Sequence, residues 1–141
     1  MSKPEWVHSN DTAVQVMKPS WFNDHVLLGS RQFIKAVELE NFSLHTLRSM
    51  KSTSATTALA FHTKTESVLA AAGANGEVSV WYYGASNVAA LNDKWTAHSR
   101  AIHAMDFLPK VGSFLVTASA DGDLNVWELC LYQGKREHWT K

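Results

Sequence analysis

Short apolar runs, broken at regular intervals by turn-forming residues, extend along most of this chain. The stretch His98–Glu128, HSRAIHAMDFLPKVGSFLVTASADGDLNVWE, holds three of them: Ala101–Phe107, Phe114–Ser119 and Leu124–Leu129. Pro109–Gly112 separates the first pair and the corner Asp121-Gly122-Asp123 the second. Runs this short, alternating rather than spaced by three and four, predict antiparallel strands joined by tight turns. The polar residues kept among them are His98, Thr117, Ser119, Asp121 and Trp127. They form a set able to close a buried hydrogen-bond chain. The Trp127 indole N–H needs an acceptor, a hydroxyl accepts it and donates onward, and Asp121 orients His98. Thr117 and Ser119 share a strand face, so the pattern leaves open which of them supplies the hydroxyl.

The pattern recurs upstream. Residues 58–81, ALAFHTKTESVLAAAGANGEVSVW, align without a gap onto residues 104–127, AMDFLPKVGSFLVTASADGDLNVW, at an offset of 46. Phe61 matches Phe107, Gly76 matches Gly122, Val80 matches Val126 and Trp81 matches Trp127. The His–hydroxyl–Asp–Trp set and this period resemble the WD-repeat family, whose repeats of ~40–45 residues each build a four-stranded blade of a β-propeller. The resemblance implies an all-β propeller in which the five residues pin a corner to its strand. In the upstream copy Ser52 stands where His98 stands, Asn75 replaces Asp121, and Ala71 and Gly73 replace Thr117 and Ser119, so only Trp81 is kept.

Carried along the chain, the pattern predicts a flexible lead-in over 1–12, a degenerate first blade over 13–47, a second over 48–97 and a third over 98–141. In the first blade AVQVM (13–17) reads as the innermost strand, and HVLLGS, FIKAVEL and FSLHTL read as the next three. Val37 takes the Trp position there, and Arg31 with Gln32 takes the Asp-Gly corner. Arg48–Thr57 reads as a polar connection into blade two, and Leu91–Thr96 as that blade's outer strand. Propellers close with four to eight blades, so three predict an incomplete ring, most simply the N-terminal fragment of a longer protein. Expressed alone, such a piece is expected to self-associate through uncovered apolar faces.

Composition removes several functions. Thirteen basic and 13 acidic residues give no net charge to attract nucleic acid or an anionic membrane. The single Cys130 excludes an internal disulfide and a Cys-based zinc site, and predicts a reducing, cytoplasmic setting. The opening MSKPEWVHSN has no apolar core of a signal peptide, and no run approaches the ~20 apolar residues of a membrane span. His8, His25, His45 and His138 offer no two at metal-ligand spacing, and the Gly residues form no phosphate loop. His98, Asp121 and a hydroxyl imitate a nucleophile triad, but at WD spacing they are corner-pinning residues with no face for substrate. No catalytic site, cofactor or metal is expected.

Two function classes remain, a protein-interaction scaffold and a propeller with a ligand or reaction in its channel. The innermost strands offer the channel only Gln15, His103 and Asp106. The scaffold reading is therefore taken, with a candidate partner face at the corners and lead-in loops: Arg31, Gln32, Asn75, Glu77, Ser99, Arg100 and Asp123. Its mixed charge suits a protein rather than a polyanion. More narrowly, GSRQFIKAVELENFSLHTL with the two later blades resembles the N-terminal propeller of the WD-repeat subunits of the GATOR complex (SEA complex in fungi). That resemblance implies other propeller-containing subunits as partners, recruitment through them to the lysosomal or vacuolar surface, and a role in amino-acid-dependent TOR signalling. It also implies a C-terminal zinc-binding module, for which this chain lacks the cysteines. A WD scaffold of an unrelated complex, such as a ubiquitin-ligase adaptor or RNA-processing subunit, is the alternative.

Overall fold

A computed structural model describes residues 14–20, 25–31, 33–40, 43–52, 54–62, 68–82, 90–109, 114–130 and 135–140. These residues build three antiparallel sheets of four strands, each strand beside its neighbour in sequence. The first sheet holds β1 (Val16–Pro19), β2 (His25–Gly29), β3 (Phe33–Glu40) and β4 (Ser43–Lys51). The second holds β5 (Thr56–Phe61), β6 (Val68–Gly73), β7 (Glu77–Tyr82) and β8 (Ala90–Thr96). The third holds β9 (Ile102–Phe107), β10 (Phe114–Ser119), β11 (Leu124–Cys130) and β12 (Lys135–Thr140). The innermost strands β1, β5 and β9 lie side by side, so the sheets fan out as three consecutive blades.

The repeat governs the register. Leu69 faces Trp81 across blade two as Leu115 faces Trp127 across blade three, and Val26 faces Val37 in blade one. Strand alternation gives each blade two faces. In blade two Val68, Ala70, Ala72, Val78 and Val80 point toward blade three, where they meet Ile102, Phe107, Leu115 and Trp127 in one buried cluster. Its other face sends Leu59, Phe61, Leu69 and Ala71 against Leu27, Ile34, Ala36 and Met50 of blade one. The core therefore lies between blades rather than inside any one of them. Burial of these aliphatic side chains, at roughly 1.5–3 kcal/mol each, is what holds blade to blade.

Corners seal the junctions. Gly76 has φ +84°, a conformation that suits glycine. Its carbonyl accepts the backbone N–H groups of Ala97 (2.9 Å) and His98 (3.1 Å) at the start of blade three. A Cβ on Gly76 would sit 2.0 Å from the His98 carbonyl oxygen. The Ser30 carbonyl, beside the blade-one corner, also reaches blade two, accepting the Thr56 N–H at 3.0 Å.

Blade one departs from the sequence expectation at both ends. Its inner strand is Val16–Pro19, not 13–17. Its outer strand continues through Arg48–Lys51, so the blade ends at Lys51 rather than at 47. Met50, only 3% exposed, faces the blade-two junction and ties that polar-looking segment to the sheet. The lead-in over 1–12 lies outside the described residues.

Candidate functional site

The site is assembled by β10, β11 and the loop between β8 and β9. Alternation places Thr117 and Trp127 on the face turned toward blade two, and the register sets Thr117 one same-face step along from the Leu115–Trp127 pair. The loop from blade two carries His98 over them. Trp127 Nε1 donates to Thr117 Oγ1 at 3.0 Å, and Thr117 Oγ1 lies 2.8 Å from His98 Nε2. His98 Nδ1 lies 3.0 Å from Asp121 Oδ2. The carboxylate accepts only, so Nδ1 carries the ring proton, which leaves Nε2 free to accept the Thr117 hydroxyl proton. The chain thus runs Trp127 to Thr117 to His98 to Asp121.

Asp121 is also fastened from the backbone. Oδ1 accepts the Asp123 N–H at 2.9 Å and Oδ2 the Ser99 N–H at 3.1 Å. The Asp123 N–H above all, then the Ser99 N–H and the His98 ring, hold its carboxyl below the ordinary value of 3.8 against a smaller opposing effect of burial. Ser119 has a separate task. Its hydroxyl donates toward the Ala101 carbonyl at 2.9 Å and accepts the Asp121 N–H at 3.2 Å. It binds the corner to the start of β9, while Thr117 alone supplies the hydroxyl to the indole.

Two residues outside the expected set belong to this neighbourhood. Asn125, 5% exposed, donates from Nδ2 to the Ala97 carbonyl at 3.0 Å, holding the His98 loop from below. Trp95 of blade two packs on the Trp127 ring, centroids 5.3 Å apart at 59°. The sequence signal for Asn125 was its register opposite Thr117 on the same face.

Blade two solves the same problem differently. With Ala71 at the hydroxyl position, the Trp81 indole donates instead to Ser79 Oγ, two residues back on its own strand, at 2.9 Å. Asn75 Oδ1 accepts the Glu77 N–H at 3.1 Å, matching Asp121 with Asp123, and the Ser54 hydroxyl at 3.0 Å. The missing imidazole and hydroxyl leave a cavity of about 70 Å³, lined by Ser52, Thr56, Ala71, Ser79 and Trp81 of blade two and by Ile34 of blade one.

The candidate partner residues gather at one end of the sheets, since the corners after β2, β6 and β10 and the loops before β5 and β9 all lie there. Arg31, Asn75, Ser99, Arg100 and Asp123 are exposed. Glu77 is half-buried and paired with Lys94 at 3.4 Å. Gln32 lies outside the described residues. On the inner strands His103 and Asp106 are exposed, and Asp106 meets Lys18 of β1 at 3.5 Å. Gln15 precedes β1 and donates its backbone N–H to the Gly29 carbonyl. Among the described residues no three His, Cys, Asp or Glu side chains are grouped to hold a metal ion.

Residues 90–128 match the family model described as WD domain, G-beta repeat. The match spans β8 through β11, the outer strand of blade two and the first three of blade three. A WD repeat counted along the sequence is therefore offset by one strand from a blade, because His98 rides on the loop that joins the two. No curated protein sequence matches the chain. Among solved structures it is similar to the computationally designed Ika4 protein, with 23% identity and a TM-score of 0.72 over 97% of this chain and 78% of that one. It is similar also to the β-propeller domain of Myceliophteria thermophila Cps50 (Swd1), with 11% identity and a TM-score of 0.74 over 95% of this chain and 38% of that one. The fold is an incomplete β-propeller of three blades, and the repeat match supports the WD-repeat family.

Proposed function

We propose that the chain is a protein-interaction scaffold that docks partners on the corner face carrying Arg31, Asn75, Glu77, Ser99, Arg100 and Asp123. The observation that carries this reading is the division of labour at the corners. At the blade-three corner the imidazole and the hydroxyl that hold it are turned inward, with Thr117 0% and His98 4% exposed, while charged side chains of both signs, Arg31, Arg100 and Asp123, are left outward. A hydroxyl buried to that degree and bonded on both sides is out of a substrate's reach. The outward set offers a polar rim to a protein surface, where such charges fix register and steer association.

The finer reading is membership of a GATOR or SEA type complex, promoting amino-acid-dependent TOR signalling at the lysosomal or vacuolar surface through other propeller-containing subunits. The resemblance of the first blade and its unusual Ser-Arg-Gln-Phe corner supports it. Affinity purification of the tagged protein from its own cells, with amino acids present and withdrawn, tests both levels. Recovery of that complex, with a TOR-signalling defect on depletion, is the expected result. Recovery of ubiquitin-ligase or RNA-processing subunits would retain the scaffold and discard the complex. Binding that survives charge reversal of Arg100 together with Asp123 would discard the proposed face.

A further inference from the structure

We infer that the cavity at the junction of blades one and two binds a small neutral azole, a flat five-membered ring of the imidazole class with one N–H and one bare ring nitrogen. The inference rests on the repeat and on this cavity, and not on the scaffold reading above. Blade three shows what such a ring meets in this fold. There the His98 imidazole is buried, with Asp121 bonded at one nitrogen and Thr117 at the other. Blade two has Ser52 and Ala71 at the His98 and Thr117 positions, and neither side chain replaces the ring. The Ser52 hydroxyl turns back to the Ser54 carbonyl, and Ala71 offers only a methyl group. The cavity of about 70 Å³ lies at these positions, walled by Ile34 of blade one and Trp81 of blade two.

The polar groups along the wall suit a ring with one donor and one acceptor. Ser79 Oγ accepts the Trp81 indole N–H at 2.9 Å, while its own proton reaches the Ala71 carbonyl only at 3.5 Å, the outer limit of a hydrogen bond. That proton is available to a bare ring nitrogen. Thr56 supplies the complement. It lines the cavity, is 2% exposed, and its Oγ1 has no hydrogen-bond partner. Its methyl is turned to Gly29 of blade one, 2.6 Å from where a Cβ there would stand. A buried hydroxyl without a partner is costly, and a ring N–H donated to it recovers that cost. Water reaches the same hydroxyls, but the azole keeps both hydrogen bonds and adds apolar contact with Ile34 and the indole. At the mouth Lys51 and Lys94 are exposed and Glu77 pairs with Lys94 at 3.4 Å. Two cations against one carboxylate disfavour a protonated ring.

The test follows the Trp81 indole N–H by two-dimensional NMR on the full 141-residue chain, assigned through Trp81→Phe, while imidazole is titrated at constant ionic strength. Saturable movement of that signal is expected, in the millimolar range suited to so small a ligand, with a melting temperature that rises with imidazole concentration. Pyrrole has the same size and the same N–H but no bare nitrogen, and should bind at least about tenfold more weakly. Thr56→Val keeps the shape and removes the acceptor, and should weaken imidazole binding by a similar factor with an unchanged β-sheet circular dichroism spectrum. Binding should fade below about pH 6.5, where the ring takes up a second proton and loses its acceptor. A Trp81 signal that does not move, as when water alone occupies the cavity, overturns the proposal. So does a Thr56→Val variant that binds imidazole as tightly as wild type, and so does binding that strengthens in acid. Pyrrole binding as tightly as imidazole overturns it too, in a comparison that needs no variant to fold.

Discussion

Blade two and blade three share one 46-residue repeat, and they satisfy the same indole N–H in two ways. In blade three the Trp127 proton enters a chain through Thr117 and His98 to Asp121, so a residue of the preceding loop is tied to the third strand. In blade two Trp81 uses Ser79 of its own strand and leaves the preceding loop out. The first arrangement couples three segments of chain, and the second satisfies a donor locally. What the difference teaches is that the WD set is a means of joining a loop to a sheet. A blade without it keeps its sheet, its corner and its Trp, but gains a cavity where the join would be. Apolar packing on both sides then has to hold blade two, and both its faces are covered.

The largest expected effect tests the one device that both corners share. Gly76→Ala combines a left-handed backbone with a Cβ forced onto the His98 carbonyl, and is expected to cost more than ~4 kcal/mol or prevent folding. Gly122→Ala meets the same backbone demand in open space, and should cost only about 1–2 kcal/mol. Urea denaturation of the two variants checks the contrast. A Gly122 cost equal to that of Gly76 would show that the left-handed backbone, not the space around it, sets the penalty.

Next in size is the hydroxyl. Thr117→Val keeps shape and burial while stranding the Trp127 N–H and His98 Nε2, and should lower stability by about 1–3 kcal/mol with an unchanged denaturant slope. Ser79→Ala in blade two removes the equivalent acceptor from a half-buried indole, which water can then serve, and should cost under ~1 kcal/mol. Equal costs would mean that coupling to the loop adds nothing.

A gain of function in the structural sense comes third. Ser52→His with Ala71→Thr and Asn75→Asp places the whole set into blade two, over an indole already in position. Filling the cavity and tying the loop should stabilise the chain by about 1 kcal/mol. A lower melting temperature for the triple variant would show that the loop before β5 cannot deliver the ring.

How much of this the sequence disclosed follows from which positions carry paired constraints. β5 to β7 and β9 to β11 were legible because apolar residues recur along them at strand spacing and glycine corners punctuate them, which fixes alternation and register together. β4 was cut short because an outermost strand needs one apolar face only, and Met50 alone marks it among Arg48, Ser49 and Lys51. β1 was displaced toward the N-terminus because Pro19 reads as a break, although a proline is tolerated on a strand with an unpaired edge. Alternation could not separate Thr117 from Ser119, which share a face; the pairing of Leu115 with Trp127 does. Ser79 was missed for the opposite reason. Its role exists only because Ala71 lacks a hydroxyl, and such compensation is written in the partner's absence rather than in a motif.

The smallest expected effect is the acid response of the two corners, and its sign is fixed in advance. Asp121 has its carboxyl held below the ordinary value of 3.8, chiefly by the Asp123 N–H. Its folded form therefore binds its proton less readily than the unfolded chain does. The stabilisation this supplies is complete above the unfolded value and disappears as pH falls through the lower, folded one. Asn75 occupies the same corner of blade two and accepts the same kind of N–H without a titrating group. Asp121→Asn turns the corner of blade three into that of blade two, and its cost at neutral pH should shrink steadily as the solution is taken below pH 4. Every other carboxylate is common to both proteins and cancels in the difference. Paired urea titrations of wild type and variant from neutral pH into this acid range measure it. A difference that stays constant across the range would show that the Asp121 charge contributes nothing beyond its shape.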